Sequence, residues 1–275
     1  MKKIKIPIYI FLIFTCISIG LWFWLDNIFY FFNFMYIGSV VSIGLFLLMK
    51  HYKYARRFVQ FGVGFYMLVY LGLICHENMQ IEGFWYYLFM GTFEAAVIHY
   101  IVAKIIGPLL FGRGWCGYAC WTAAILDLLP YKAPKKPRMK KLSVIRYIVF
   151  AASILFVSAL FFLQVRDIEM VLFWSFIGGN ILYYVVGIVM AFILKDNRAF
   201  CKYICPITVF LKPASYFSLL RVKTDLNKCV SCGKCKKVCP MNVDILNNKR
   251  NRKNGTDCIL CMECVKSCPK DAIEF

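Results

Sequence analysis

Long unbroken apolar runs alternate with short polar links through the first 194 residues, and a polar, cysteine-rich tail follows. Six runs approach the roughly 20 residues that a helix needs to cross a hydrocarbon core. They lie near 7–25, 28–49, 58–75, 84–106, 145–163 and 171–194. Asp26-Asn27 links the first pair, and the stretch from His76 to Gly83 links the third and fourth, so both pairs are predicted to be helical hairpins. Residues 195–220 read as an interfacial segment and 221–275 as a small soluble domain. The predicted fold is a polytopic α-helical membrane domain of about six spans followed by a small α+β domain.

Composition supports a bilayer as solvent for most of the chain. Hydrophobic residues make up 61% of it, against roughly 45–50% apolar in soluble domains. The N-terminal run after Lys2 and Lys3 continues through Leu21–Leu25 with no small-residue cleavage site, which predicts a retained anchor.

The net charge of +19 would point to nucleic acid in a soluble protein. Here the cations sit between apolar spans, so membrane topology and anionic lipid headgroups are the expected partners, and nucleic acid is not. Lys2, Lys3 and Lys5, then Lys50, Lys53, Arg56 and Arg57, then Arg113 and the run from Lys132 to Lys141 share one predicted side with the tail. The opposite links carry Arg166 alone. The positive-inside rule therefore places both termini on the cytoplasmic face of the inner membrane.

Twelve of the 14 cysteines fall in tight motifs; Cys16 and Cys75 stand alone. Cys229, Cys232, Cys235 and Cys239, with Pro240, spell C-x2-C-x2-C-x3-C-P, and Cys258, Cys261, Cys264 and Cys268, with Pro269, repeat it at an offset of 29. Three close thiolates can wrap one cubane while the fourth serves the other cluster. That assigns Cys229, Cys232, Cys235 and Cys268 to a first [4Fe-4S] cluster, and Cys258, Cys261, Cys264 and Cys239 to a second. Zinc sites usually pair two C-x2-C units across a longer gap and lack the third cysteine and the C-P ending. Flanking residues 219–223 and 272–275 are predicted to pair as short strands. This stretch resembles the bacterial two-cluster ferredoxins, which implies single-electron transfer.

A second cysteine set follows the fourth and sixth spans. Arg113-Gly114-Trp115-Cys116-Gly117-Tyr118-Ala119-Cys120 and Arg198-Ala199-Phe200-Cys201-Lys202-Tyr203-Ile204-Cys205 both read R-x-aromatic-C-x-Y-x-C at an offset of 85. The chain then divides into an extra N-terminal hairpin (1–57), a duplicated unit of hairpin plus cysteine turn (58–220, turns at 113–121 and 198–206), and the ferredoxin domain (221–275). Functional sites of repeated membrane units commonly lie at the repeat interface. Cys116, Cys120, Cys201 and Cys205 would there offer four thiolates to a third iron-sulfur cluster, with Arg113 and Arg198 as charge partners. Redox-active thiol pairs and purely structural cysteines remain open alternatives.

With these motifs in view, residues 58–275 resemble the membrane polyferredoxins of the NapH, NosR and CcoG type. The resemblance implies electron exchange between cytoplasmic clusters and a membrane or outer-face partner, either another redox protein or the quinone pool. Members of that group also include quinol dehydrogenases, metal reductases and maturation factors, so whether this chain is an enzyme stays open, as does a redox-sensing role. Trp121 departs from the usual proline, the hairpin at 7–49 is additional, and no loop is long enough for a flavin domain.

Glu94 is the acidic residue of the predicted fourth span, an expense in lipid that marks functional candidates. His99, on another face of that helix, is read as lining a quinone pocket near Cys116 or as a packing residue. His51, His76 and His99 lie at three depths, which argues against bis-histidine haem. Cys75, His76, Glu77 and Glu82 are expected together at the outer surface. The polar run 247–255 is read as a solvated turn, with docking of an acidic redox partner as the alternative.

Overall fold

A computed structural model describes residues 5–93, 95–139, 141–246 and 255–274. Helices dominate it. Lys5–Leu25 (α1) and Ile28–Met49 (α2) form the first hairpin. Asn27 caps α2 by accepting a hydrogen bond from the Phe29 amide at 2.9 Å, relieving one orphan donor of the helix start. Ala55–Ile74 (α3) packs on α2 through small residues: a Cβ on Gly44 would lie 1.8 Å from the Val59 side chain. Lys141–Phe162 (α8) and Ile168–Leu194 (α9) come later in the chain.

Among the described residues five helices, α1, α2, α3, α8 and α9, are long and apolar enough to cross a membrane. Their outward faces are bare of protein: Phe23, Trp24 and Phe162 are 75%, 77% and 87% exposed. Apolar surface of that extent needs lipid around it. The chain is therefore a membrane protein in its helical part.

The predicted fourth span at 84–106 is not one helix. Ile81–Phe89 (α4) ends before Gly91, whose φ of +71° takes the turn, and Ala96–Phe111 (α5) follows. The two lie side by side, with Phe84 stacked on Tyr100 at 4.9 Å between centroids. The link before α4 is not a surface loop either. His76 packs on Phe173, Asn78 donates to the Leu172 carbonyl at 2.9 Å, and Gln80 lies against Gly179, so this segment descends along α9 into the bundle. Helix α4 then climbs back: Trp85 meets Phe150, while Phe89 meets Phe161 near the end of α8. Helices α4 and α5 are both apolar, so hydropathy alone reads them as one span. Asn78 is tolerated inside because α9 backbone satisfies it.

Gly114–Tyr118 (α6) and Trp121–Leu126 (α7) carry the first cysteine turn; Ala199–Tyr203 (α10) and Thr208–Tyr216 (α11) carry the second. Beyond them lies the small domain, with Lys223–Thr224 (β1), Lys234–Lys237 (α12), Glu263–Ser267 (α13) and Ile273–Glu274 (β2). The strands pair antiparallel, Lys223 opposite Glu274 and Thr224 opposite Ile273. The two flanks pair as expected, but the first strand is Lys223–Thr224 rather than 219–223, so only Lys223 of the expected strand takes part. The core of this domain is continuous with the first cysteine turn, since Cys116 packs in one cluster with Val222, Cys239, Ile259 and Leu260.

Candidate functional site

The duplicated C-terminal motif is duplicated in backbone as well as in sequence. Ser231, Gly233 and Asn242 have φ of 53°, 71° and 52°; Leu260, Met262 and Asp271, each 29 residues on, have 53°, 62° and 45°. Left-handed backbone is costly for Leu and Met. Its repetition shows that the curl of each loop matters more than the residue that adopts it. Such curls turn successive backbone N–H groups inward, forming anion-binding concavities. Amides also reach sulfur in matched fashion: Val243 donates to Cys239 Sγ at 3.4 Å and Ala272 to Cys268 Sγ at 3.3 Å.

Two hollows result. Cys229, Cys232, Cys235 and Cys268 line one, and Cys239, Cys258, Cys261 and Cys264 line the other. The grouping has the crossed pattern expected of two-cluster ferredoxins. Burial pushes the Cys258 thiol up to about 12. Gathering thiolates there is favourable only when a cation offsets them. The donor set, the hollow and the inward amides all fit an iron-sulfur cluster.

The membrane-side set is built by two arginines that reach across to each other's turn. Arg113 Nη2 donates to the Cys201 carbonyl at 3.3 Å, and Arg198 Nη1 donates to the Cys116 carbonyl at 3.0 Å. Each also approaches its own turn's first sulfur, Arg113 to Cys116 Sγ at 4.0 Å and Arg198 to Cys201 Sγ at 3.8 Å. The two turns thus face one another about an approximate twofold. Arg113, Arg198, Cys116 and Cys201 are all buried. Burial pushes Cys120, Cys201 and Cys205 up to about 11. Among the described residues no three His, Cys, Asp or Glu side chains converge on a single metal ion. A cubane, held by one thiolate on each iron, does not require that convergence.

Several residues complete the site without any sequence motif. Asp127 takes Arg198 through Nε at 2.7 Å and Nη2 at 2.5 Å, and Arg56 at 2.8 Å. Asp257 takes Arg113 at 2.5 Å, Arg138, and Lys212 at 3.3 Å. Lys104 is buried over the Trp115 ring, 4.2 Å from its centroid, and its charge acts on Cys116, Cys120 and Cys205. Lys202 binds Asp196 at 2.7 Å and Asn242 at 2.5 Å. Trp121, standing in the usual proline position, donates to Asn180 Oδ1 at 2.7 Å and so ties its turn to α9.

Contacts between the small domain and the cysteine turns lie beside the Cys239 set. They include Arg113–Asp257, Lys202–Asn242, the Tyr118 hydroxyl donating to Leu260 O at 3.0 Å, and Gly117 against Ile259 O. The Cys229 hollow lies elsewhere, lined by Lys234 and Lys270, with Cys232 exposed.

The remaining sequence candidates are scattered. His99 meets Trp115 edge-on at 5.0 Å, with Nε2 buried and unpartnered. Cys75 and His76 are exposed, but Glu82 is not with them; its Oε2 is buried and unpartnered, as are Gln80 Nε2 and Tyr100 Oη. Cys16 and His51 are exposed. Glu94 and the run 247–254 lie outside the described residues.

Comparison with known proteins agrees with this layout. Residues 221–269 match the family model of the 4Fe-4S dicluster domain, and residues 100–140 and 171–226 match that of a 4Fe-4S binding domain. This is an iron-sulfur protein. Two uncharacterized proteins of Methanocaldococcus jannaschii, MJ0749 and MJ0750, are 26% and 32% identical to it. The alignments cover 61% and 53% of this chain and 67% and 66% of theirs. The Escherichia coli protein YccM, named provisionally for electron transport, is 25% identical over 57% of this chain and 49% of its own length. The chain thus spans about two thirds of the archaeal relatives and about half of YccM. No solved structure matches it.

Proposed function

We propose that the chain is a membrane-embedded electron conduit, joining a soluble redox partner on the side of its C-terminal domain to a partner in the membrane or at its far face. Bound [4Fe-4S] clusters would supply the one-electron chemistry. The observation that carries the reading is the serial placement of three cysteine sets. The Cys229 set faces solvent, the Cys239 set lies next, and the Cys116, Cys120, Cys201 and Cys205 set sits where the domain docks on the bundle. The first two hold one cluster each, and the third set holds a third. Arg113, Arg198 and Lys104 set the charge around that third group; in a buried, low-dielectric place their fields are strong. The loop cations support a domain and both termini in the cytoplasm, with the shorter apolar helix α5 making the return crossing between α3 and α8. The chain makes up part of the NapH, NosR and CcoG group on this reading.

The test is one-sided reduction. In sealed vesicles with the domain outward, an impermeant viologen should reduce a membrane-side centre in the native protein and fail with Cys258→Ser/Cys261→Ser. Equal reduction in both would overturn the order.

A second reading, a quinol dehydrogenase, is favoured by Gln80 Nε2, Glu82 Oε2, His99 Nε2 and Tyr100 Oη, four buried unpartnered polar atoms in the membrane half. Such groups await a partner with polar atoms of its own. Reduction of the purified protein by a quinol, without any added protein, separates this reading from the conduit.

A further inference from the structure

The conduit needs a soluble partner, and the face around the Cys229 set carries the chemistry to choose one. The stretch from Cys229 to Cys239 contains three lysines, Lys234, Lys236 and Lys237, and no carboxylate. All three are exposed, and so is Lys270, which lines the same hollow as Lys234. Nearby lysines are already engaged: Lys228 lies 3.7 Å from Asp225 and 3.8 Å from Glu274, and Lys266 lies 3.8 Å from Glu263. The four named first have no such partner in the described residues.

The hollow that Lys234 and Lys270 line also holds an apolar spot. Val230 is 58% exposed and sits between Cys229 and the exposed Cys232. An exposed apolar spot flanked by unpaired cations is the plan of a transient docking site: charge guides the approach, and the small dry centre sets the distance. The position also excludes the bundle as the face's own partner. The docking contacts of the domain, at Asp257, Ile259, Leu260 and Asn242, all lie on the Cys239 side.

We propose that this face is the entry port for a small, acidic, soluble one-electron carrier, docked over Val230 and Cys232 and held by Lys234, Lys236, Lys237 and Lys270. This rests on the conduit reading. It adds the chemical class of the soluble partner and the residues that select it. Weak redox encounters of this type bury little area, so charge carries much of the affinity, and salt weakens it.

The test is direct binding of an acidic flavodoxin to the full-length protein in detergent, with a charge-neutralised flavodoxin as comparison and iron content measured throughout. Acidic flavodoxin should bind, at least tenfold more weakly at 0.5 M salt than at 0.05 M. Lys234→Glu/Lys270→Glu should weaken it at least tenfold with iron unchanged, and Lys234→Gln/Lys270→Gln less. Equal binding by both flavodoxins, or no effect of the glutamates, overturns the port. So does a result in which the same lysines instead govern binding to vesicles of anionic lipid, which would make the face a membrane contact. Protein that holds no iron but still binds would sink the conduit reading and leave the charged face standing. Iron-loaded protein that ignores the acidic carrier would sink the port alone.

Discussion

Arg113 and Asp257 meet at 2.5 Å although 144 residues separate them. One belongs to the first cysteine turn, where it also faces Cys116, and the other immediately precedes Cys258. The pair therefore couples the membrane half to the C-terminal domain where Cys116 packs in one core with Cys239 and Cys264. Removing one partner of a buried pair strands the other charge, at a cost of about 3–5 kcal/mol.

Asp257→Asn should accordingly loosen the C-terminal domain. A protease cutting near residue 220 should release it several-fold faster from the variant than from the native protein, with the helical bundle left intact. Unchanged release would remove Arg113–Asp257 from the docking account.

Gly117 tests the same interface without touching a charge. A Cβ there would fall 2.2 Å from the Ile259 carbonyl, a backbone atom with little room to yield. Gly117→Ala should destabilise docking by about 1–3 kcal/mol, the usual cost of overpacking. Gly20→Ala, where nothing lies within 4 Å, is the control and should leave docking unaffected.

Asp127 gives a pH signature. Burial alone would raise its carboxyl, but Arg198 and Arg56 outweigh that and hold it below the usual carboxylate range. A depressed folded-state pKa contributes stability that is fully present above the unfolded value of about 4 and fades as pH falls toward the folded value. The stability gap between native protein and Asp127→Asn should therefore stay flat from about pH 5 to 8 and narrow below about pH 4. Thermal unfolding in detergent across that range checks it; a gap that opens only on acidification would contradict the sign.

The C-terminal motif was legible because cluster ligation is written locally: the spacing of four cysteines and the offset of 29 are in the sequence itself. The five long helices were legible for the same reason, as each is one apolar run. The fourth crossing was not, because Trp85–Phe89 and Ile101–Ile106 look alike to hydropathy whether they belong to one helix or two. Asn78 and Gln80, polar residues just before the run, and Gly91 within it were the available signals. Asp127, Asp257 and Lys104 were missed because their roles depend on partners far away in sequence. Only the R-x-aromatic-C-x-Y-x-C repeat hinted at them, since two buried arginines need counter-charges somewhere.

Topology has its own test. With the loop cations inside, protease should release residues 221–275 from inverted vesicles and leave them untouched in right-side-out cells. Release from intact cells would reverse the orientation.

The most direct measurement of the central claim is iron per chain, with spin quantitation by EPR, after anaerobic purification. The ferredoxin cysteines alone account for about eight irons, and a third cubane at the facing turns brings the count to about twelve. The account predicts about twelve in the native protein and about eight in Cys116→Ser/Cys201→Ser, with the ferredoxin signals retained. About eight irons in both, with identical redox titrations, would contradict it.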